Sequence, residues 1–126
     1  MSPSFLNVFD TSRFAWAFVG PEATLYDEAS HQVGRHSRGP TWELDDGSKV
    51  TAKVIAQAPS RPAGSIPQLL LQVTSAGTRG ALANASYVQR LRTIGGTAPD
   101  AGCEAADVGA KRAILYSAVY VFYVAK

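Results

Sequence analysis

The sequence predicts an all-β fold: a single-domain β-sandwich or barrel carrying one short helix near residues 104–111. Three observations lead there. Large and small side chains alternate with period two in Phe14–Phe18, Val50–Ala56 and Tyr116–Val124, as residues on a pleated strand alternate between faces. Turn signals built from Gly, Pro and Asp separate roughly seven such segments, the spacing of a sandwich or barrel. The chain has 126 residues, 46% of them hydrophobic and 17% charged. That is the size of one domain, with enough apolar material for one core.

Phe14-Ala-Trp-Ala-Phe18 puts Phe14, Trp16 and Phe18 on one face of a strand, and Gly20-Pro21 is expected to end it. Ala23–Tyr26 reads as a second short strand, closed by Asp27-Glu28. Thr41–Leu44, Asp45-Asp-Gly47 and Ser48–Gln57 read as a β-hairpin, because Asp-Gly suits a type I′ turn with positive φ at both central residues. Val50, Ala52, Val54 and Ala56 share one face of the return strand. Ala58–Pro67, with three prolines, is a loop, since proline cannot donate to a sheet ladder. Leu69–Ser75 is a strand whose Leu-Leu-Leu run suggests burial on both faces. A loop follows around Gly77–Gly80, then a strand over Ala83–Thr93 and a loop over Gly95–Gly102. Glu104–Lys111 is the helix candidate, with Glu104 and Asp107 favourably placed against the helix dipole. Ala113–Val124 is the strongest strand. Tyr116, Ala118, Tyr120, Phe122 and Val124 lie on one face, and Ser117, Val119, Val121 and Tyr123 on the other.

The expected division is an N-terminal extension or substitute edge strand over 1–13 and a single β domain over 14–126. Phe5-Leu-Asn-Val-Phe9 is apolar enough to pair with the sheet. Either Met1–Asp10 is ordered against it, or an exposed edge strand draws a second copy into a homodimer, because an edge presents a row of unpaired N–H and C=O groups.

Net charge is +2, and no basic run marks a nucleic-acid footprint, so no nucleic-acid partner is expected. Arg90 and Arg92, the densest basic pair, read as a solvated strand face. No stretch approaches the roughly 20 apolar residues of a membrane-spanning helix. Met1–Asp10 has neither the basic start nor the apolar core of a signal peptide. One cysteine, Cys103, allows no internal disulfide and no multi-cysteine zinc site.

His31 and His36 flank Gly34 and are expected on a loop or hairpin, as turn residues pointing to water. No third ligand accompanies them, so no metal and no cofactor are expected. Cys103, ahead of the helix candidate, would be an activated nucleophile only with a base nearby; a buried thiol is the plainer reading. No nucleophile-elbow, phosphate-loop or dinucleotide pattern occurs. Asn84-Ala-Ser86 fits a glycosylation sequon. The aromatics are the richest feature, and most of them fit a core. Trp42, just after Gly39-Pro40 where a loop meets a strand, is expected to be partly exposed. It is the best binding-site candidate, with His36 and Tyr87 as the other ligand-binding candidates.

A series of ordered blocks resembles a known family. They are Gly20-Pro-Glu-Ala-Thr-Leu25, Val33-Gly-Arg-His36, Gly39-Pro-Thr-Trp-Glu43, Asp46-Gly-Ser48, Ala58-Pro59, Ile66-Pro67 with Leu69–Leu71, Tyr87-Val-Gln-Arg90, Gly95-Gly96, Gly102-Cys103 and Tyr116–Tyr123. Together they are similar to domain of unknown function 3455, from about Trp16 to Tyr123. The resemblance implies a small domain that is secreted or periplasmic, with no assigned reaction. Some fungal members are labelled malate dehydrogenase, a label for which this sequence offers no dinucleotide fingerprint. Similar proteins carry an export signal and an earlier strand with a cysteine, so Met1–Arg13 reads as a shortened start.

The functional expectation is a non-enzymatic domain binding a glycan, a small apolar ligand or a partner in the extracellular or envelope space. Two alternatives stand beside it: an enzyme whose loop-built site uses His36, Trp42 and Cys103, and a structural or assembly domain without a small ligand.

Overall fold

The computed structural model describes the backbone of residues 5–12, 15–98 and 111–124, and the side chains of Phe18 and of residues 20–98 and 114–124. The described chain is all-β. Its strands are β1 (Phe5–Ser12), β2 (Ala15–Tyr26), β3 (Gln32–Ser37), β4 (Thr41–Leu44), β5 (Lys49–Ala58), β6 (Gln68–Ala76), β7 (Ala85–Gly95) and β8 (Lys111–Val124). Each pairs antiparallel with its neighbour in the chain, and β1 also pairs with β8, closing the sheet into an up-and-down barrel. Closure is uneven. β1 meets β8 from Lys111 to Tyr116, and among the described residues Ser117–Val124 has no strand on that side. No helix among the described residues is long and apolar enough to cross a membrane.

The helix expected near 104–111 falls almost wholly on residues outside those described. Lys111 opens β8, and Glu104–Ala110 lies outside the described residues, as does Cys103. Gly20-Pro21 does not end a strand either. Ala15–Tyr26 runs through it as one strand, with a register shift against Val8/Phe9 of β1. Pro21 itself keeps register with Asn7 of β1, while β3 pairs with β2 only from Ala23 onward, so one side of the strand is unladdered there and can take a residue that lacks an N–H. The Asp45–Gly47 hairpin forms as expected, but only Gly47 takes positive φ, at 90°. Gly47 N–H donates to the Leu44 carbonyl and Leu44 N–H to Ser48. A left-handed glycine closing a longer loop therefore replaces the type I′ turn.

The core lies inside the barrel. Trp42, Val50, Leu71 and Val88 are essentially inaccessible, joined by Leu25, Ala52, Ile66, Leu82, Ala85, Tyr116 and Ala118. Each fully buried aliphatic side chain contributes roughly 1.5–3 kcal/mol over its exposed state. On β8 the alternation holds through the middle: Tyr116 and Ala118 are buried, while Leu115, Val119 and Tyr123 are exposed. Loop 59–67 is bound to the end of β7. Thr93 Oγ1 donates to the Ile66 carbonyl at 2.6 Å, Ile66 N–H to Gly95, and Gly95 N–H to Ser65 Oγ. Ser60, itself buried, bridges the loop internally through Pro62 and Ser65. At the opposite end, Asp46 Oδ1 accepts from Ser48, and its Oδ2 from the Ala81 N–H, tying the β4–β5 turn to the β6–β7 loop. These bonds hold the Asp46 carboxyl below its ordinary range, the Ser48 hydroxyl contributing most.

Candidate functional site

Antiparallel pairing places the β3–β4 turn, loop 59–67 and the end of β7 at one mouth of the barrel. A cavity of about 210 Å³ opens there. Its walls are largely apolar, formed by Pro21, Pro40, Trp42, Leu69, Leu71 and Tyr120, with Phe18 and Val54 at the exposed rim and His36, Arg38 and Arg90 as its polar groups.

His36 and Trp42 reach the cavity for the same local reason. They are direct partners across the β3–β4 pair, so both side chains rise from the same face. Their rings stack with centroids 4.5 Å apart and planes 13° from parallel. Tyr120 packs at an angle on both rings, and Phe122 meets the indole edge-on. His36 was expected in a turn facing water. It lies instead within β3 and is buried, at 4% exposure. The corner at 38–40 follows His36, so the histidine belongs to the strand. His31 does sit outside, in the β2–β3 turn, beside the Asp27 carboxylate.

His36 Nδ1 lies 2.8 Å from the Thr41 carbonyl. A carbonyl only accepts, so Nδ1 carries the proton and Nε2 is left as an acceptor. Burial lowers the His36 pKa to about 4, with the Thr41 carbonyl opposing and the Arg90 charge assisting. The imidazole is therefore neutral near pH 7. The Trp42 indole N–H is buried without a hydrogen-bond partner among the described residues.

Arg90 corrects another expectation. It does not share a solvated face with Arg92. Val88 and Arg90 point inward on β7, Arg90 opposite Leu69 and Tyr120. Arg92 takes a left-handed φ of 51° within an irregular stretch of the pairing and ends exposed. The extra residue of a bulge breaks the alternation on which a shared face depends. Arg90 Nε and Nη2 both donate to the Pro67 carbonyl, at 3.1 and 2.9 Å. Tyr120 lies against the guanidinium and hydrogen-bonds Tyr116 at 2.8 Å. Desolvation pushes the Tyr120 phenol up, so it too stays neutral. Gly20 lets Arg38 approach β2, since a Cβ there would fall 2.6 Å from the Arg38 Cβ.

Of the three ligand-binding candidates read from the sequence, the structure brings His36 and Trp42 together. Trp42 is not partly exposed as expected but buried, at 1%, because it follows the corner and points into the barrel. Tyr87 is on the outer face, paired with Tyr123, whose hydroxyl donates to the Gln89 amide. Of the catalytic trio, only His36 and Trp42 are among the described residues. Arg90 and Leu71 are wall residues not singled out for a site from the sequence, and Tyr120, one of the aromatics read mainly as core, lines the cavity as well. Tyr87-Val88-Gln89-Arg90 alternation pointed to Arg90, because Val88 faces the core and Arg90 shares its side.

A wider hollow of about 730 Å³ lies toward the opposite end, bounded by Leu25, Val33, Leu44, Leu82 and Phe122. Of its carboxylates, Asp27 is engaged with its own turn, accepting from the Ala29 and His31 amides. No cluster of three or more metal-ligating side chains occurs among the described residues.

Compared with known proteins, residues 8–124 match the family described as "Protein of unknown function (DUF3455)". No curated protein and no solved structure matches the chain.

Proposed function

The chain belongs to the DUF3455 family, and from that premise we propose that this member is a binding protein, taking a small, largely apolar molecule into the mouth of its barrel. One observation carries the reading: a 210 Å³ cavity with apolar walls on which a few polar groups converge. Ligand sites combine just these features, a concave apolar lining with a small number of orienting polar atoms. A cavity of about 150 Å³ accommodates benzene, so this one suits a ring with a short side arm. A glycan fits it less well, since a sugar asks for many polar partners and the walls supply few. The setting we propose is extracellular or periplasmic.

Titration of the full chain with toluene, followed by two-dimensional NMR, tests this reading. The expected shifts fall on the Trp42 indole N–H and on His36, Leu71 and Tyr120. Val54→Trp, at the exposed rim, is expected to block the mouth and abolish them. Shifts confined to the outer face around Tyr87 and Tyr123, or none at all, would sink the reading.

A further inference from the structure

We propose that the ligand of this cavity carries a carboxylate, anchored by the guanidinium of Arg90, so that the barrel selects small aromatic or aliphatic acids. The proposal rests on the cavity being a binding site.

Arg90 is an arginine turned into a barrel, held by β7 beside the fully buried Val88. It is half-buried, with apolar wall in place of part of its water, and a charge so placed gains from a partner of opposite sign. Arg90 has no carboxylate within ion-pair distance among the described residues. Its immediate partners are the Pro67 carbonyl and Tyr120, both neutral. They fix the plane of the guanidinium, and among the described residues its charge has no counter-ion.

The other polar groups in the wall do not offset it. His36 is neutral, its one ring proton given to Thr41. Tyr120 is a neutral phenol. Arg38, at the exposed rim, adds positive charge. The field in the cavity is therefore positive, and positive clefts with low-dielectric walls concentrate anions. Trp42, stacked on the neutral His36, forms part of the same wall and brings no negative charge to it. Guanidinium is the side chain whose planar fork best matches a carboxylate. The remaining walls are apolar and fit a ring or short chain.

The test uses the full chain and three probes of one shape: phenylacetate, phenylacetamide and toluene, each titrated by NMR and calorimetry. A charge-assisted hydrogen bond exceeds a neutral one by roughly 1–1.5 kcal/mol, so phenylacetate is expected to bind about tenfold more tightly than the amide. Arg90→Gln is expected to erase that preference while toluene still binds. Arg38→Gln is expected to keep most of it. Equal binding of acid and amide by the native protein overturns the carboxylate while leaving the cavity reading intact, and this comparison stands even where Arg90→Gln does not fold. Loss of the preference in Arg38→Gln, with Arg90→Gln or Arg90→Lys retaining it, overturns the assignment to Arg90. Failure of all three probes to bind removes the cavity reading, and the proposal with it.

Discussion

The imidazole of His36 lies flat on the indole of Trp42, with ring centroids 4.5 Å apart. Their strands face each other residue for residue at this point, so the stack follows from register alone. It makes Trp42 a structural residue as well as a cavity wall. Trp42→Ala is expected to destabilise the fold by about 3–5 kcal/mol, the usual cost of truncating a buried large aromatic. Urea unfolding of the two proteins measures it, and a loss below about 1 kcal/mol, the average for any substitution, would show the indole to be replaceable by solvent or by movement of Tyr120.

The same stack makes stability depend on pH. Burial lowers the His36 pKa in the folded protein to about 4 from an ordinary 6.5. Below pH 6.5 the unfolded chain takes up a proton that the folded chain refuses, so it binds more protons and gains free energy. The stability tied to neutral His36 is thus fully present above about pH 6.5 and declines as pH falls toward 4, by on the order of 3 kcal/mol. Denaturation at pH 7, 5.5 and 4.5 should show the decline, and His36→Phe should flatten it between 6.5 and 4.5. An NMR titration of the His36 ring with a midpoint near 6.5 in the folded protein would contradict the account.

Much of this was legible in the sequence, for reasons that differ by residue. Period-two alternation located β8 and the middle of β5 because the pleat leaves that signature wherever one face is buried. Asp45-Asp46-Gly47 marked its hairpin because only glycine adopts positive φ without cost. Pairing of His36 with Trp42 was not legible, since both were assigned to loop margins, and register across a corner is set by how many residues the corner uses. Arg90 and Arg92 looked alike at a spacing of two. The left-handed backbone at Arg92 separates them, and nothing in the side chains of that segment announces it. Gly20-Pro21 misled in the opposite direction, because β3 joins β2 only from Ala23 onward, and a strand open on one side accepts a proline that a ladder on both sides would reject.

Gly34 should tolerate no side chain. It sits opposite Leu44, and a Cβ there would lie 2.2 Å from the Glu43 carbonyl oxygen and 2.8 Å from the Leu44 Cα. These are backbone atoms, so relief requires β3 and β4 to separate just below His36 and Trp42. Gly34→Ala is expected to cost at least the ~1–3 kcal/mol typical of overpacking, and to disturb the His36 and Trp42 resonances. Gly77→Ala is the control, since nothing lies within 4 Å of a Cβ there. Equal melting temperatures for the two variants would mean that the β3–β4 contact relaxes freely.

The mouth of the barrel depends on a clamp remote from the aromatic stack. Thr93 is buried and donates its hydroxyl to the Ile66 carbonyl at 2.6 Å. The neighbouring carbonyl, Pro67, is the one that receives both Arg90 donors. Thr93→Val keeps the shape and removes the donor, leaving a buried carbonyl one partner short, at a cost of about 1–3 kcal/mol. Loosening Ile66 also frees Pro67, so the substitution should release loop 59–67 and let the guanidinium turn. Hydrogen exchange is expected to rise at the Ser65, Ile66 and Gly95 amides. Exchange at Ser48 and Ala81, held by Asp46 at the far end, should stay as it was. The preference for phenylacetate over phenylacetamide should narrow in the same variant, because the arginine would no longer be held in one plane. Unchanged exchange at all three amides would show that the bonds between Ile66, Ser65 and Gly95 hold the loop by themselves, and that the Thr93 hydroxyl contributes nothing to the placement of Arg90.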